Sequence, residues 1–211
     1  MSRRILITAG PTREPIDAVR YLSNRSSGAM GVALANAADE AGHETTLLLG
    51  PVDSAVAGSV RDDVAVERFA TTAELEALLA SHFRGCDVLV MAAAVADYRL
   101  APEVVDATGK RKREGDLTLR FEATPDLVAG CAAEKRDDQR VVAFALEEPE
   151  QLEGRAMEKM RRKGVDAIVG NPLGTMDAET IEAILFTSDG ERMVPGPMSK
   201  RAFAEWLIAQ I

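Results

Sequence analysis

Two periods alternate along this chain, and the alternation limits its fold more than any other feature. Short runs of aliphatic and β-branched residues stand at 5–8, Glu44–Leu49, 64–69, Val88–Met91, 141–145 and 166–169. Between them lie stretches of helical spacing, clearest over 29–41, from Thr72 onward and over 149–164. Strands separated by a helix cannot join as tight hairpins, and the crossovers must run over the faces of a parallel sheet. The sequence therefore predicts an α/β fold, a Rossmann-like, mostly parallel sheet with helices on both faces. Gly42 is expected to end the first helix, Thr72 to cap another with Glu74 and Glu76 in its first turn, and Ser199 to cap a last amphipathic helix carrying Phe203, Trp206, Leu207 and Ile211. A final strand is expected over 181–187.

Residues 98–122 break this rhythm. Pro102, Gly109 and the cation run Lys110-Arg111-Lys112-Arg113 precede the alternating Leu117-Thr118-Leu119-Arg120-Phe121, a pattern that predicts an irregular flap leading into an edge or hairpin strand. No repeat or linker interrupts the chain, so residues 1–211 are expected to form a single domain. Hydrophobic residues make up 46% and charged residues 28%, which excludes a disordered chain; with aromatics at 4%, aliphatic and alanine packing must fill the core.

Twenty-five Lys and Arg against 34 Asp and Glu give a net charge of −9. That balance argues against nucleic-acid and anionic-membrane partners, although local cations can still hold a small polyanion in one cleft. Cys86 and Cys131 lie far apart and, with only His43 and His82, make no zinc-ligand spacing. They read as structural thiols of a cytoplasmic protein, since no apolar run reaches bilayer length and the start has no signal-peptide pattern.

Candidate chemistry gathers beyond the strand ends, where parallel sheets bind ligands. In the long loop from Gly10 to Gly31, Ser23, Asn24, Ser26 and Ser27 offer hydrogen-bonding groups, and Gly28 and Gly31 permit close approach of an anion or phosphate. The competing explanation is that Ser26 or Ser27 caps the helix and Gly28 serves its packing. Small residues from Met91 to Ala94 keep the next strand end low. Asp97 could then accept from sugar hydroxyls or a base, sit near a metal, or be a turn aspartate. Lys159 and Lys163, four apart on one helix face, and the cation run could contact phosphates or simply be solvated. A dinucleotide fingerprint is absent: Gly10 has no glycine two residues on, and Leu48-Leu49-Gly50-Pro51 lacks the ribose-binding acid. There is no phosphate loop ending in Gly-Lys-Ser or Gly-Lys-Thr. Nor is there a Tyr-x-x-x-Lys pair, because Tyr21 is followed four on by Arg25 and Tyr98 by Pro102.

Gly10-Pro11-Thr12-Arg13-Glu14-Pro15, Ser23-Asn24-Arg25-Ser26-Ser27-Gly28 and Ala93-Ala94-Val95-Ala96-Asp97-Tyr98, followed by a lysine-rich flap, resemble the phosphopantothenoylcysteine synthetase family of coenzyme A biosynthesis. The resemblance runs from Ile5 to about Asp189. It implies a ligase that joins 4′-phosphopantothenate to L-cysteine through an acyl-nucleotide, with CTP, or alternatively ATP, as co-substrate and Mg²⁺ assisting. It further implies a homodimer paired through the stretch after Asp97, and a flavin-dependent decarboxylase partner, fused or separate. By position, Asn24 matches the asparagine serving the second half-reaction, and Lys110, with Lys112 as the alternative alignment, the flap lysine that acts in acyl-nucleotide formation. Met91, Ala92, Ala93, Asp97, Pro125, Asp126, Leu127, Val128, Phe144, Lys159 and Lys163 match nucleotide-binding positions. Gly10, Ser23, Arg25, Ser26, Ser27 and Gly28 belong to the substrate or phosphate loop; no metal ligands are assigned. Two positions depart from the family pattern: Thr124 precedes Pro125-Asp126 where asparagine is usual, and Glu148 stands where threonine is usual. A non-catalytic nucleotide-binding regulatory module of the same fold is the alternative, but a mere binder has no need of both Asn24 and Lys110.

Overall fold

The structure is a computed structural model that describes residues 1–105, 109–112, 115–175, 178 and 180–211, the side chains of Val104 and Thr175 excepted. Arg113 of the cation run lies outside the described residues. The elements in chain order are β1 (Arg4–Ala9), β2 (Arg13–Pro15), β3 (Tyr21–Ser23), α1 (Ala29–Glu40), β4 (Glu44–Leu49), α2 (Ser54–Ala57), β5 (Ala65–Arg68), α3 (Thr72–His82), β6 (Val88–Met91) and β7 (Tyr98–Leu100). They continue with β8 (Phe121–Ala123), α4 (Leu127–Glu134), β9 (Arg140–Glu147), α5 (Leu152–Lys163), β10 (Ala167–Pro172), β11 (Thr180–Ile181), β12 (Ile184–Thr187), β13 (Arg192–Met193), β14 (Met198–Ser199) and α6 (Lys200–Gln210).

Eight strands form the main sheet in the order β13-β12-β10-β9-β6-β1-β4-β5. All pairings from β10 to β5 are parallel, and β12 and β13 close one side antiparallel. Side chains alternate across the sheet as strand geometry requires. Ile5, Ile7 and Ala9 of β1 pack with Leu34 of α1 and Phe203 and Leu207 of α6, whereas Leu6 faces Leu75 and Leu79 of α3. Helices thus cover both faces, as the alternation predicts. Strand order reverses between β1 and β6, and the crevice beyond their carboxyl ends is the ligand position of such sheets.

Several expectations need correcting. The cap of α3 is Thr71, whose hydroxyl accepts from Glu74 N at 3.2 Å, because the Thr72 hydroxyl is committed to Glu14. The first loop contains the hairpin β2–β3, and the helix α4 follows Asp126, whose carboxylate accepts from Ala129 N at 3.2 Å. The strand expected over 181–187 is two strands: β11 pairs with β14, while β12 joins the main sheet. In the flap, pairing to Tyr98–Leu100 begins only at Phe121, because the alternation from Leu117 faces no core; Leu117 is 53% exposed. The expected cap Ser199 does accept from Ala202 N, at 3.2 Å.

At the opposite end of the sheet, Asp87 accepts from Arg4 N at 2.8 Å and from the Arg4 guanidinium at 2.6 Å, tying β1 to the start of β6. The Arg4 side chain, followed by its main-chain N–H, holds the Asp87 carboxyl down from 3.8 to about 2. A depressed carboxyl contributes stability that is complete above its unfolded value and is lost as pH falls through the folded one. Asp87→Asn should therefore lower the melting temperature by a constant margin above roughly pH 5, a margin that narrows as the pH approaches about 2. A margin unchanged across that acid range would contradict the assignment.

Candidate functional site

The crevice is assembled by hydrogen bonds between the first loop and the segment after β6. Ala93 N donates to Thr8 Oγ1 (3.0 Å), Ala94 N to the Gly10 carbonyl (2.9 Å), Thr12 N to the Ala94 carbonyl (3.2 Å) and Ala96 N to Thr12 Oγ1 (2.9 Å). Glu14 is buried, and its carboxylate accepts from Thr72 N at 2.8 Å and Thr72 Oγ1 at 2.7 Å, at the positive end of α3. Arg13 stacks on Tyr21, 4.6 Å from the ring centroid. The Gly-Pro-Thr-Arg-Glu-Pro segment is thus a scaffold that holds the strand end open.

Asn24 sits on this scaffold. Its Nδ2 donates to the carbonyls of Ala94 and Val95, both at 3.1 Å. Two donors meet two carbonyls, so Oδ1 is the side chain's remaining hydrogen-bonding atom.

The glycines of the loop serve packing. Gly28 has φ +76°, and a Cβ there would lie 2.6 Å from Val52 Cγ1; at Gly31 it would lie 2.4 Å from Ala9 Cβ. Gly31 lets α1 press onto β1, and Gly28 lets the start of α1 pack against Val52 and Gly10, which favours the packing explanation for Gly28. Gly28 is also the cap position of α1 and offers no side-chain acceptor. Ser26 and Ser27 hydroxyls reach only Gly28 N and Ala29 N, each at 3.4 Å, so capping by these serines is confined to the outermost amides. The first turn of α1 opens into the crevice with polar amides.

The resulting cleft measures about 440 Å³ and lies within the usual size of small-molecule sites. Of the expected residues it gathers Asn24, Arg25, Ser26, Ser27, Gly28, Ala92, Ala93, Asp97, Phe144 and Lys159. Gly10 and Ser23 lie in the supporting loop, where Ser23 Oγ donates to the Thr12 carbonyl at 2.7 Å. Met91 is buried in the sheet, and Leu127 and Val128 are buried in the first turn of α4. Pro125 and Asp126 are exposed outside the cleft lining, as is Lys110 on the flap. Thr124 is structural: its N–H donates to the Asp97 carbonyl at 3.0 Å and its hydroxyl to the Ala96 carbonyl at 2.5 Å, which fixes the main chain carrying Asp97.

The two lysines of α5 divide. Lys159 lines the cleft with Nζ 2.5 Å from Glu147, whose side chain is only 9% exposed, whereas Lys163 is bound to Asp126 at 2.6 Å. The two side chains therefore meet different carboxylates, Lys159 at the cleft and Lys163 at the start of α4. Sequence reading missed Lys200, Asn171 and Ile181, which also line the cleft. Lys200 opens α6, and no carboxylate among the described residues forms an ion pair with it. Apart from the Ser199 cap, no local signal points to it. Among the described residues, no group of three or more His, Cys, Asp or Glu could hold a metal. Burial raises the Cys86 thiol and pushes Cys131 up to about 11, so both remain protonated near neutrality, as structural thiols do.

Residues 1–211 match the family described as the DNA/pantothenate metabolism flavoprotein C-terminal domain. The chain belongs to that family. It is 40% identical over 197 residues to the coenzyme A biosynthesis bifunctional protein CoaBC of Escherichia coli strain K12, covering 90% of this chain and 47% of that protein. It is also 40% identical over 171 residues to a cysteine/cysteine sulfinic acid decarboxylase of an unknown prokaryotic organism, covering 81% of this chain and 46% of that protein. The chain spans about half the length of these curated relatives. The crystal structure of the C-terminal domain of a CoaBC protein superposes with a TM-score of 0.82 at 30% identity, covering 99% of this chain and 93% of that one. The sheet topology and the motif resemblance agree with this family. Among the described residues, no helix is long and apolar enough to cross a membrane.

Proposed function

We propose that this chain is a cytoplasmic phosphopantothenate–cysteine ligase. The observation that carries the reading is the convergence of Asn24, Asp97, Phe144, Lys159 and the first-turn amides of α1 on one cleft at the strand-order reversal. A carboxylate is a poor acyl donor and needs a better leaving group. One oxygen of the pantothenate carboxylate attacks the α-phosphorus of CTP, and the bond to pyrophosphate breaks. The deprotonated amine of cysteine then attacks the acyl carbon, the carbon–oxygen bond breaks, and CMP leaves with that oxygen.

Each group has a task in this sequence. The α1 amides and Lys200 offset phosphate charge, and Lys159 joins them by exchanging Glu147 for a phosphate oxygen. Phe144 supplies a flat apolar wall for the base. The Oδ1 of Asn24 suits the N–H of the attacking amine, in keeping with a role in the second half-reaction. Magnesium commonly binds through one or two carboxylates plus substrate phosphates, and the exposed Asp97 at the cleft fits that mode without a protein-built cage. When bound, the ion would supply further charge neutralisation. Exposed Tyr98 and Phe121 on the β7–β8 hairpin, together with Val19 and Tyr21 near β2–β3, suit a homodimer contact. The bifunctional and decarboxylase names among the relatives support a flavin-dependent decarboxylase as partner.

Lys159→Ala should raise KM for the nucleotide about tenfold with a smaller change in kcat, the effect of one charge-assisted hydrogen bond less the cost of breaking the Lys159–Glu147 pair to form it. An unchanged KM would remove Lys159 from the nucleotide site. For the ligase itself, phosphopantothenate with CTP should release pyrophosphate before cysteine is added, and substituting ATP measures base preference. Absence of release with either nucleotide would contradict the ligase reading and favour a regulatory binder.

A further inference from the structure

We infer that Asp17 is a positioning residue that fixes the backbone carrying Lys110. The inference rests on the proposed role of Lys110 in acyl-nucleotide formation. The Asp17 side chain is fully buried, although it lies in a surface loop. Its Oδ1 accepts from Val19 N at 3.0 Å and Arg20 N at 2.9 Å, closing a local turn. Its Oδ2 accepts from Arg20 Nε at 2.9 Å, from Arg20 Nη2, and from Arg111 N at 3.1 Å. Ala18 N donates to the Gly109 carbonyl at 3.1 Å, and Arg20 Nη2 donates to the Arg111 carbonyl at 3.3 Å.

Both neighbours of Lys110 are therefore tied to the first loop. The Lys110 side chain is exposed, but its Cα is set between two anchored residues, and the anchor belongs to the loop that carries Asn24 seven residues later. Asp17 thus joins the segments bearing the two candidate catalytic residues. A buried carboxylate is costly unless its lone pairs are matched, and here five donor contacts match them. Arg20 foremost, then main-chain donors including Arg111 N, keep the Asp17 carboxyl well below the ordinary carboxylate range despite its burial, so the anchor is ionised throughout neutral pH. An apolar residue would fill this space without holding Arg111.

Asp17→Asn preserves size but replaces one acceptor by an NH₂ group that faces donors. With cooperative melting retained, trypsin cleavage after Lys110, Arg111 and Lys112 should accelerate about tenfold or more as the local contact opens. Pyrophosphate release from CTP and phosphopantothenate should fall roughly 10–100-fold through loss of positioning. In a Lys110→Ala background the same substitution should add no further loss, because Asp17 acts through Lys110. If Asp17→Asn fails to fold, Arg20→Lys, which removes the guanidinium fork and leaves the carboxylate, is subjected to the same measurements. Unchanged cleavage, or losses that multiply in the double variant, would overturn the inference. Lys110→Ala with wild-type pyrophosphate release would instead overturn the assignment of Lys110, while the cleavage rate would still decide whether Asp17 anchors this segment.

Discussion

Replacing Asn24 by alanine should slow ligation about 10²–10³-fold, the usual cost of removing one aligned polar group from a site of developing charge. The loss should be unequal between the half-reactions. Acyl-nucleotide formation needs the carboxylate and phosphate brought together, the tasks proposed for the α1 amides and the lysines. The second step needs the amine aligned on the acyl carbon, where Oδ1 of Asn24 is the proposed acceptor. Its amide is oriented by the carbonyls of Ala94 and Val95 at 3.1 Å, so Oδ1 is preset before any substrate arrives. An acid-quenched single turnover with labelled CTP should show the acyl-nucleotide accumulating in Asn24→Ala after cysteine is added. Equal slowing of both steps would mean that Asn24 chiefly holds the strand-end loop.

A single methyl group at Gly31 should destabilise the protein even though alanine is the better helix former. The propensity gain is about 1 kcal/mol. Against it, the new Cβ would stand 2.4 Å from Ala9 Cβ, 2.9 Å from Ala9 Cα and 3.0 Å from the Thr8 carbonyl oxygen. Two of these contacts are backbone atoms of β1, which no rotamer change can move aside. Helix α1 must lift from the sheet, at the upper end of overpacking costs, about 3 kcal/mol. Overpacking wins, and Gly31→Ala should lose about 2 kcal/mol net, roughly 4–8 °C of melting temperature for a chain of this size. Because the first turn of α1 lines the cleft, nucleotide affinity should fall as well. Wild-type melting would show that α1 and β1 are less closely pressed than these distances imply.

What could be read from the sequence and what could not divide along the range of the interactions. The parallel sheet was legible because strand and helix periods are local, and Gly42 and Ser199 mark helix ends through their own backbone and side-chain chemistry. The β2–β3 hairpin was not, since its three-residue strands include Pro15 and are held by Asp17 rather than by an apolar pattern. Helix α4 was missed although Pro125 and Asp126 signal its start, because its small residues show little amphipathic contrast. In the site, Asn24, Asp97, Phe144 and Lys159 were named from motifs and converge on the cleft. Asp17 and Lys200 had no such signal, and the motif containing Glu14 does not show its partner: Glu14 meets Thr72 across 58 positions and Asp17 meets Arg111 across 94. The separation of Lys159 from Lys163 was equally hidden, since helical spacing gives the shared face but not which carboxylate each lysine meets.

The central claim is that the cleft activates a carboxylate by attack on the α-phosphorus, and an isotope follows that oxygen directly. Phosphopantothenate labelled with ¹⁸O in its carboxylate is turned over with CTP and cysteine, and the released nucleotide is examined by mass spectrometry. The account predicts one labelled oxygen in CMP and none in pyrophosphate. Label in inorganic phosphate, or CMP free of label while the amide product forms, would contradict it.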